Sequence, residues 1–171
     1  MRTRSLVLLV AALLALSVLG VSAASAAPQR LSKAQWATYL TAYNPYLAQT
    51  TKTVARFRKC RSSTAYSKYL EAFNACLGTT PAREIAATNA LFNALHGFQG
   101  KVEGNCAKTL TTYTTAVFFW KSVVVGINRA LRIKSSDVAT IEGQVQNGVL
   151  AAQRVSANAK AFARDCKPPS S

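Results

Sequence analysis

The chain is poor in acid. Of its 171 residues only 6 are Asp or Glu, against 21 Lys or Arg, and there is a single histidine. None of the acids (Glu71, Glu84, Glu103, Asp137, Glu142 and Asp165) has another three or four positions away, so no helix face carries a carboxylate pair for acid–base work. His96 has Phe92, Asn93, Gln99 and Gly100 at helical spacing, none of them a partner for a metal or a general base. A histidine just before Gly97 reads as a capping group at a helix C-terminus. No GxSxG elbow, HExxH motif or glycine-rich phosphate loop is present. These absences argue against an enzyme, and no cofactor or metal is expected.

Long apolar runs are also scarce. One lies at the N-terminus, where Arg2 and Arg4 precede LVLLVAALLALSVLGV (Leu6 to Val21) and then SAASAAP, the three parts of a secretory signal. Cleavage is expected after Ala26, giving a signal peptide at 1–26 and a secreted single domain at 27–171. The mature part keeps 19 basic residues (all but Arg2 and Arg4) against the same 6 acids. The other apolar stretch, AVFFWKSVVVGI (Ala116 to Ile127), is interrupted by Lys121 and falls short of the roughly 18 residues of a membrane span. No transmembrane segment is therefore expected once the signal is removed.

Proline and glycine, 5 and 8 in number, are sparse within the periodic segments and fall mostly between them. What fills those segments has helical spacing. Trp36, Leu40, Tyr43, Leu47, Val54 and Phe57 recur by threes and fours, with Thr50 as the exception, after a Ser32/Gln35 capping box. Pro45 is predicted to kink or break this helix near Asn44. A shorter helix carries Tyr66, Tyr69, Leu70, Phe73 and Leu77 and stops at Gly78. Thr80-Pro81 opens a third through Ile85, Phe92 and Leu95, ended by Gly97, Gly100 and Gly104.

Tyr113, Val117, Trp120, Val124, Ile127 and Leu131 form a 4-3-4-3-4 seam, broadened by Phe118, Phe119, Val123 and Val125 until little polar face remains. That pattern predicts a central helix, with Lys121 snorkelling past its neighbours. The last helix follows Ser135-Ser136-Asp137 with the stripe Val138, Ile141, Val145, Val149, Ala152, Val155, Ala159 and Phe162. The fold expected is all-α: an antiparallel bundle of four long helices plus one short helix.

Four cysteines in an exported chain predict two disulfides. Cys106 and Cys166 lie at similar distances from the turn near Lys134, so Cys106–Cys166 is the expected bridge and Cys60–Cys76 follows by elimination. An unbroken helix between Cys60 and Cys76 would hold them about 24 Å apart, so part of that segment must run back non-helically.

The functional readings rest on charge and aromatics. Arg56, Arg58, Lys59 and Arg61 form one basic group, Arg129, Arg132 and Lys134 a second, and Lys160, Arg164 and Lys167 a third. All stand at predicted helix C-termini, where cations offset the helix dipole. In the assumed topology the first and third groups share one end beside Cys106. They would form a cationic pole for an anionic cell-envelope or extracellular polymer or for lipid headgroups. Sequence-specific nucleic-acid binding has no motif behind it. One alternative is a groove for a small apolar ligand or peptide lined by Trp36, Tyr39, Tyr43 and Tyr46 and splayed open at Pro45. Another is a purely structural secreted protein without a ligand.

Overall fold

The computed structural model describes residues 28–62, 69–132 and 138–170. The proposed signal segment, Tyr66 and the Ser135-Ser136-Asp137 start signal lie outside them. All regular structure among the described residues is helical: α1 (Lys33–Ser62), α2 (Tyr69–Leu77), α3 (Thr80–His96), α4 (Gly104–Ala130) and α5 (Val138–Cys166). Four long helices and one short one form the expected bundle.

The helix signals act largely as expected. Ser32 N–H donates to Gln35 Oε1 (2.8 Å) and Gln35 N–H donates to Ser32 Oγ (3.2 Å), closing the capping box ahead of α1. Gly78, at φ +55°, follows the end of α2 in the left-handed region that favours glycine. Pro45 does not break α1, which runs unbroken for 30 residues. Proline sacrifices one backbone bond there, while the buried Tyr39 and Tyr46 on either side hold both halves of the helix to the same core.

Length decides the topology. At about 1.5 Å per residue α1 spans about 45 Å, whereas the nine residues of α2 span only about 14 Å. The short helix therefore does not traverse the bundle. It folds over the end of α1, where Phe73 and Leu77 pack with Phe57, Ile127 and Leu131. α3 then returns along α1, α4 packs on α3, and α5 packs on α4. The beginning of α1 meets the end of α5: Leu31 N–H donates to Cys166 O (3.1 Å), and the rings of Trp36 and Phe162 stack 6.0 Å apart.

Both disulfides form as paired in the sequence reading, one at each end of the bundle. Cys106 and Cys166 have Cα atoms 4.8 Å apart beside Leu31, and Cys60 and Cys76 have theirs 5.6 Å apart in the cluster with Ile127. Cys60 and Cys76 sit in the last turns of α1 and α2, which brings them together without a long helix between them. Two such bridges fit an oxidising compartment.

The apolar stripes keep most of their expected positions on α4 and α5 and are rotated on α1. The α4 seam from Tyr113 to Leu131 is buried, but Phe118 (53% exposed), Phe119 and Val125 face outward. Packed between α3 and α5, α4 leaves one face open and is not apolar-buried all round. It is long and apolar enough to cross a membrane by length and composition, yet its seam is filled by its neighbours. Lys121 places Nζ 5.4 Å from the centre of the Phe92 ring. On α1 the buried positions are Tyr39, Tyr46, Thr53, Phe57 and Cys60, leaving Leu47 exposed. On α5 Gly148 and Ala151 take the interior and Val149 turns out of it.

Candidate functional site

At the centre of the bundle lies a polar cluster that the apolar periodicity conceals. The buried face of α3 reads Pro81, Glu84, Thr88, Leu91 and Leu95, with Ile85 and Phe92 at its edges. Glu84 is fully buried. Its Oε1 accepts from Thr50 Oγ1 (2.7 Å) and Trp120 Nε1 (2.8 Å), and its Oε2 accepts from Thr53 Oγ1 (2.8 Å). Gln49 Nε2 supports Thr53 at 3.1 Å, and the Thr88 hydroxyl donates to the Glu84 carbonyl at 2.8 Å. None of these donors is a cation. Three short bonds take most of the carboxyl group's acceptor capacity, which is what permits its burial. Thr50, the odd residue in the α1 stripe, is there for Glu84.

A row of tyrosines continues from this centre. Burial pushes the hydroxyls of Tyr39, Tyr43, Tyr46 and Tyr113 above the usual phenol range. The Tyr113 hydroxyl is set against Tyr39 but makes no bond of proper geometry. Tyr39 and Tyr46 are 2% and 3% exposed, and the half-buried Trp36 and Tyr43 pack on the same core. The proposed aromatic groove is thus filled. Tyr39 sits 5.0 Å from Phe162 and 4.9 Å from Trp36, so these rings close α1 onto α5 where a groove was expected.

An opening does exist, nearer the other end of the same helix pair. A cleft of about 150 Å³ separates α1 from α5. Val54, Phe57, Arg58 and Arg61 form its α1 wall, at i, i+3, i+4 and i+7 on one helix face. Trp120 and Ile127 of α4 make the floor, and Val145, Gly148 and Val149 make the α5 wall. Gly148 matters because a Cβ there would already lie 3.4 Å from the Trp120 ring. Trp120 therefore has two faces to its role, one edge bonded to Glu84 and another exposed to the cleft.

The basic groups are arranged differently from expectation. α1 starts at the Cys106–Cys166 end and finishes at the other, so Arg56, Arg58, Lys59 and Arg61 stand at the end far from Cys106. The end of α4 comes to the same place, bringing Arg129 and Arg132; Lys134 lies outside the described residues. Lys160, Arg164 and Lys167 are at the opposite end, with the end of α5. The first group could share an end with Cys106 only if α2 crossed the bundle, which its nine residues do not do. Arg56 Nε donates to Cys76 O (2.7 Å), tying α1 to α2. At the opposite end Arg164 pairs with Asp165 through two bonds of 2.7 and 3.0 Å, and this hydrogen bonding holds the Asp165 carboxyl below its ordinary range. Arg30 there donates to Lys167 O (2.9 Å).

His96 is exposed in the last turn of α3, its ring 5.9 Å from that of Phe92. No group of three or more His, Cys, Asp or Glu side chains among the described residues is placed to hold a metal ion. Comparison with family models, curated proteins and solved structures gives no match.

Proposed function

We propose that the protein is a secreted cationic binding protein that attaches to an anionic polymer of the cell envelope or its surroundings. The contact surface is the bundle end that carries Cys60–Cys76. The observation that supports this reading is the meeting of Arg56, Arg58, Lys59 and Arg61 at the end of α1 with Arg129 and Arg132 at the end of α4. Helix-dipole compensation accounts for cations at each C-terminus separately. Bringing six of them to one end strengthens the local field that concentrates polyanions. Burial of Glu84 removes one of only 6 acids from the surface, which adds to the imbalance.

The test is retention of the processed chain on wall polymers, polyanionic resin and whole cells at low and high salt. Retention at low salt that fades as salt rises is expected, because exposed charges are screened beyond about 8–10 Å at physiological ionic strength. The paired substitution Arg129→Glu/Arg132→Glu should weaken retention more than Lys160→Glu/Lys167→Glu at the other end. No retention at low salt, or retention indifferent to salt, overturns the reading.

A further inference from the structure

We propose that the cleft between α1 and α5 is a binding site for a small amphipathic carboxylate: an alkyl or aryl acid with an apolar part of about six carbons. Three observations converge on this. The floor and far wall are apolar, formed by Trp120, Ile127, Val145 and Val149. The size suits a small apolar group, since a closed apolar cavity of about 150 Å³ stays dry and takes up benzene. The near wall then supplies charge of one sign, from Arg58 and Arg61, one helical turn apart on the same face. Arginine lays its aliphatic stem along apolar surface while its planar guanidinium stays at the mouth, where it matches a carboxylate in bidentate geometry.

The packing explains why the space is open. α1 is held by α3 and α5 by α4, while α1 and α5 are fastened to each other at the far end by Leu31–Cys166 and the Trp36–Phe162 stack. Opposite Trp120 the wall residue is a glycine, and the residues beside it are small valines. No side chain of the described bundle fills the gap. Glu84 fixes the indole from behind, so the floor is rigid and already in place for a ligand.

The site does not depend on polymer attachment, although it shares Arg58 and Arg61 with it. Trp36 and Trp120 are the two tryptophans, so Trp36→Phe leaves Trp120 as a reporter in the cleft. That variant is titrated with hexanoate and phenylacetate, with hexan-1-ol, hexylammonium and acetate as counterparts. A saturable change in Trp120 fluorescence is expected with the two amphipathic acids, at least about tenfold weaker binding with the alcohol, and none with hexylammonium or acetate. Adding Arg58→Gln/Arg61→Gln should weaken hexanoate about tenfold and leave hexanol unchanged. Adding Val149→Phe, at an exposed wall position, should abolish binding of both. Arg129→Glu/Arg132→Glu, outside the cleft, should spare hexanoate while weakening polymer retention. A silent Trp120, equal binding of hexanol and hexanoate, or indifference to Val149→Phe overturns the proposal. Polymer retention with a silent cleft defeats this inference alone, and hexanoate binding without polymer retention defeats the other reading alone.

Discussion

The indole of Trp120 donates to the carboxyl group of Glu84 at 2.8 Å across the middle of the bundle, joining α4 to α3 by a polar bond inside an apolar core. With Thr50 and Thr53 the same carboxyl group gathers α1 as well. Glu84→Ala should leave three donors without an acceptor. At about 1–3 kcal/mol for each unsatisfied buried group, a loss of about 3 kcal/mol or more is expected in denaturant unfolding. Glu84→Gln keeps one acceptor oxygen and the volume, and should lose less.

The core tyrosines give a pH dependence with a definite sign. Burial raises the hydroxyl pKa of Tyr39, Tyr43, Tyr46 and Tyr113 in the folded chain, so above the unfolded value of about 10 the unfolded state has lost protons that the native state keeps. Their contribution to stability is complete below pH of about 10 and is lost progressively above it. Absorbance at the phenolate band should show these four of the 6 tyrosines ionising late, in step with loss of helix by circular dichroism. Four early, reversible titrations with the helix intact would contradict their burial.

Gly148 separates two effects. An alanine Cβ would meet Trp120 and Val123 at 3.4 and 3.5 Å, an ordinary contact, and alanine gains about 0.5–1 kcal/mol over glycine within a helix. Gly148→Ala should therefore be neutral or stabilising in thermal unfolding. Gly148→Leu has to displace the indole and should cost about 1–3 kcal/mol.

The two disulfides close loops of different length, with separations of 16 and 60 residues. Chain entropy assigns about 3 kcal/mol to the first and about 4 kcal/mol to the second. Cys106→Ser/Cys166→Ser should accordingly lower the midpoint of unfolding more than Cys60→Ser/Cys76→Ser. The latter pair should act more on the end carrying α2, which protease susceptibility or hydrogen exchange there would reveal.

Local signals in the sequence carried a long way. The capping box at Ser32, the stop at Gly78 and the glycines after His96 set helix boundaries through nearest-neighbour chemistry, which a sequence displays directly. The cysteine pairing followed from the same boundaries. The direction of the helices did not, because it depends on whether α2 is long enough to cross the bundle, and its start near residue 69 has no distinct marker. The buried centre was hidden for another reason. A search for apolar residues favours Ile85 and Phe92 over Glu84 and Thr88, although Pro81, Glu84, Thr88, Leu91 and Leu95 keep a 3-4-3-4 spacing. Thr50 was the visible trace, a hydroxyl where the stripe called for bulk. Likewise Val149 was placed inside by its apolar character, whereas the broad Trp120 ring leaves room there only for a small residue, Gly148.

Leu31 and Cys166 are bonded neighbours, so the described chain begins and finishes on one side of the molecule. The arginines at the end of α1 lie on the other, a helix length of about 45 Å away. A sensor surface coupled through the C-terminus would thus present Arg58 and Arg61 to the solution, whereas coupling through lysines at random would hide them in some molecules. Orientation on the support becomes an experimental variable.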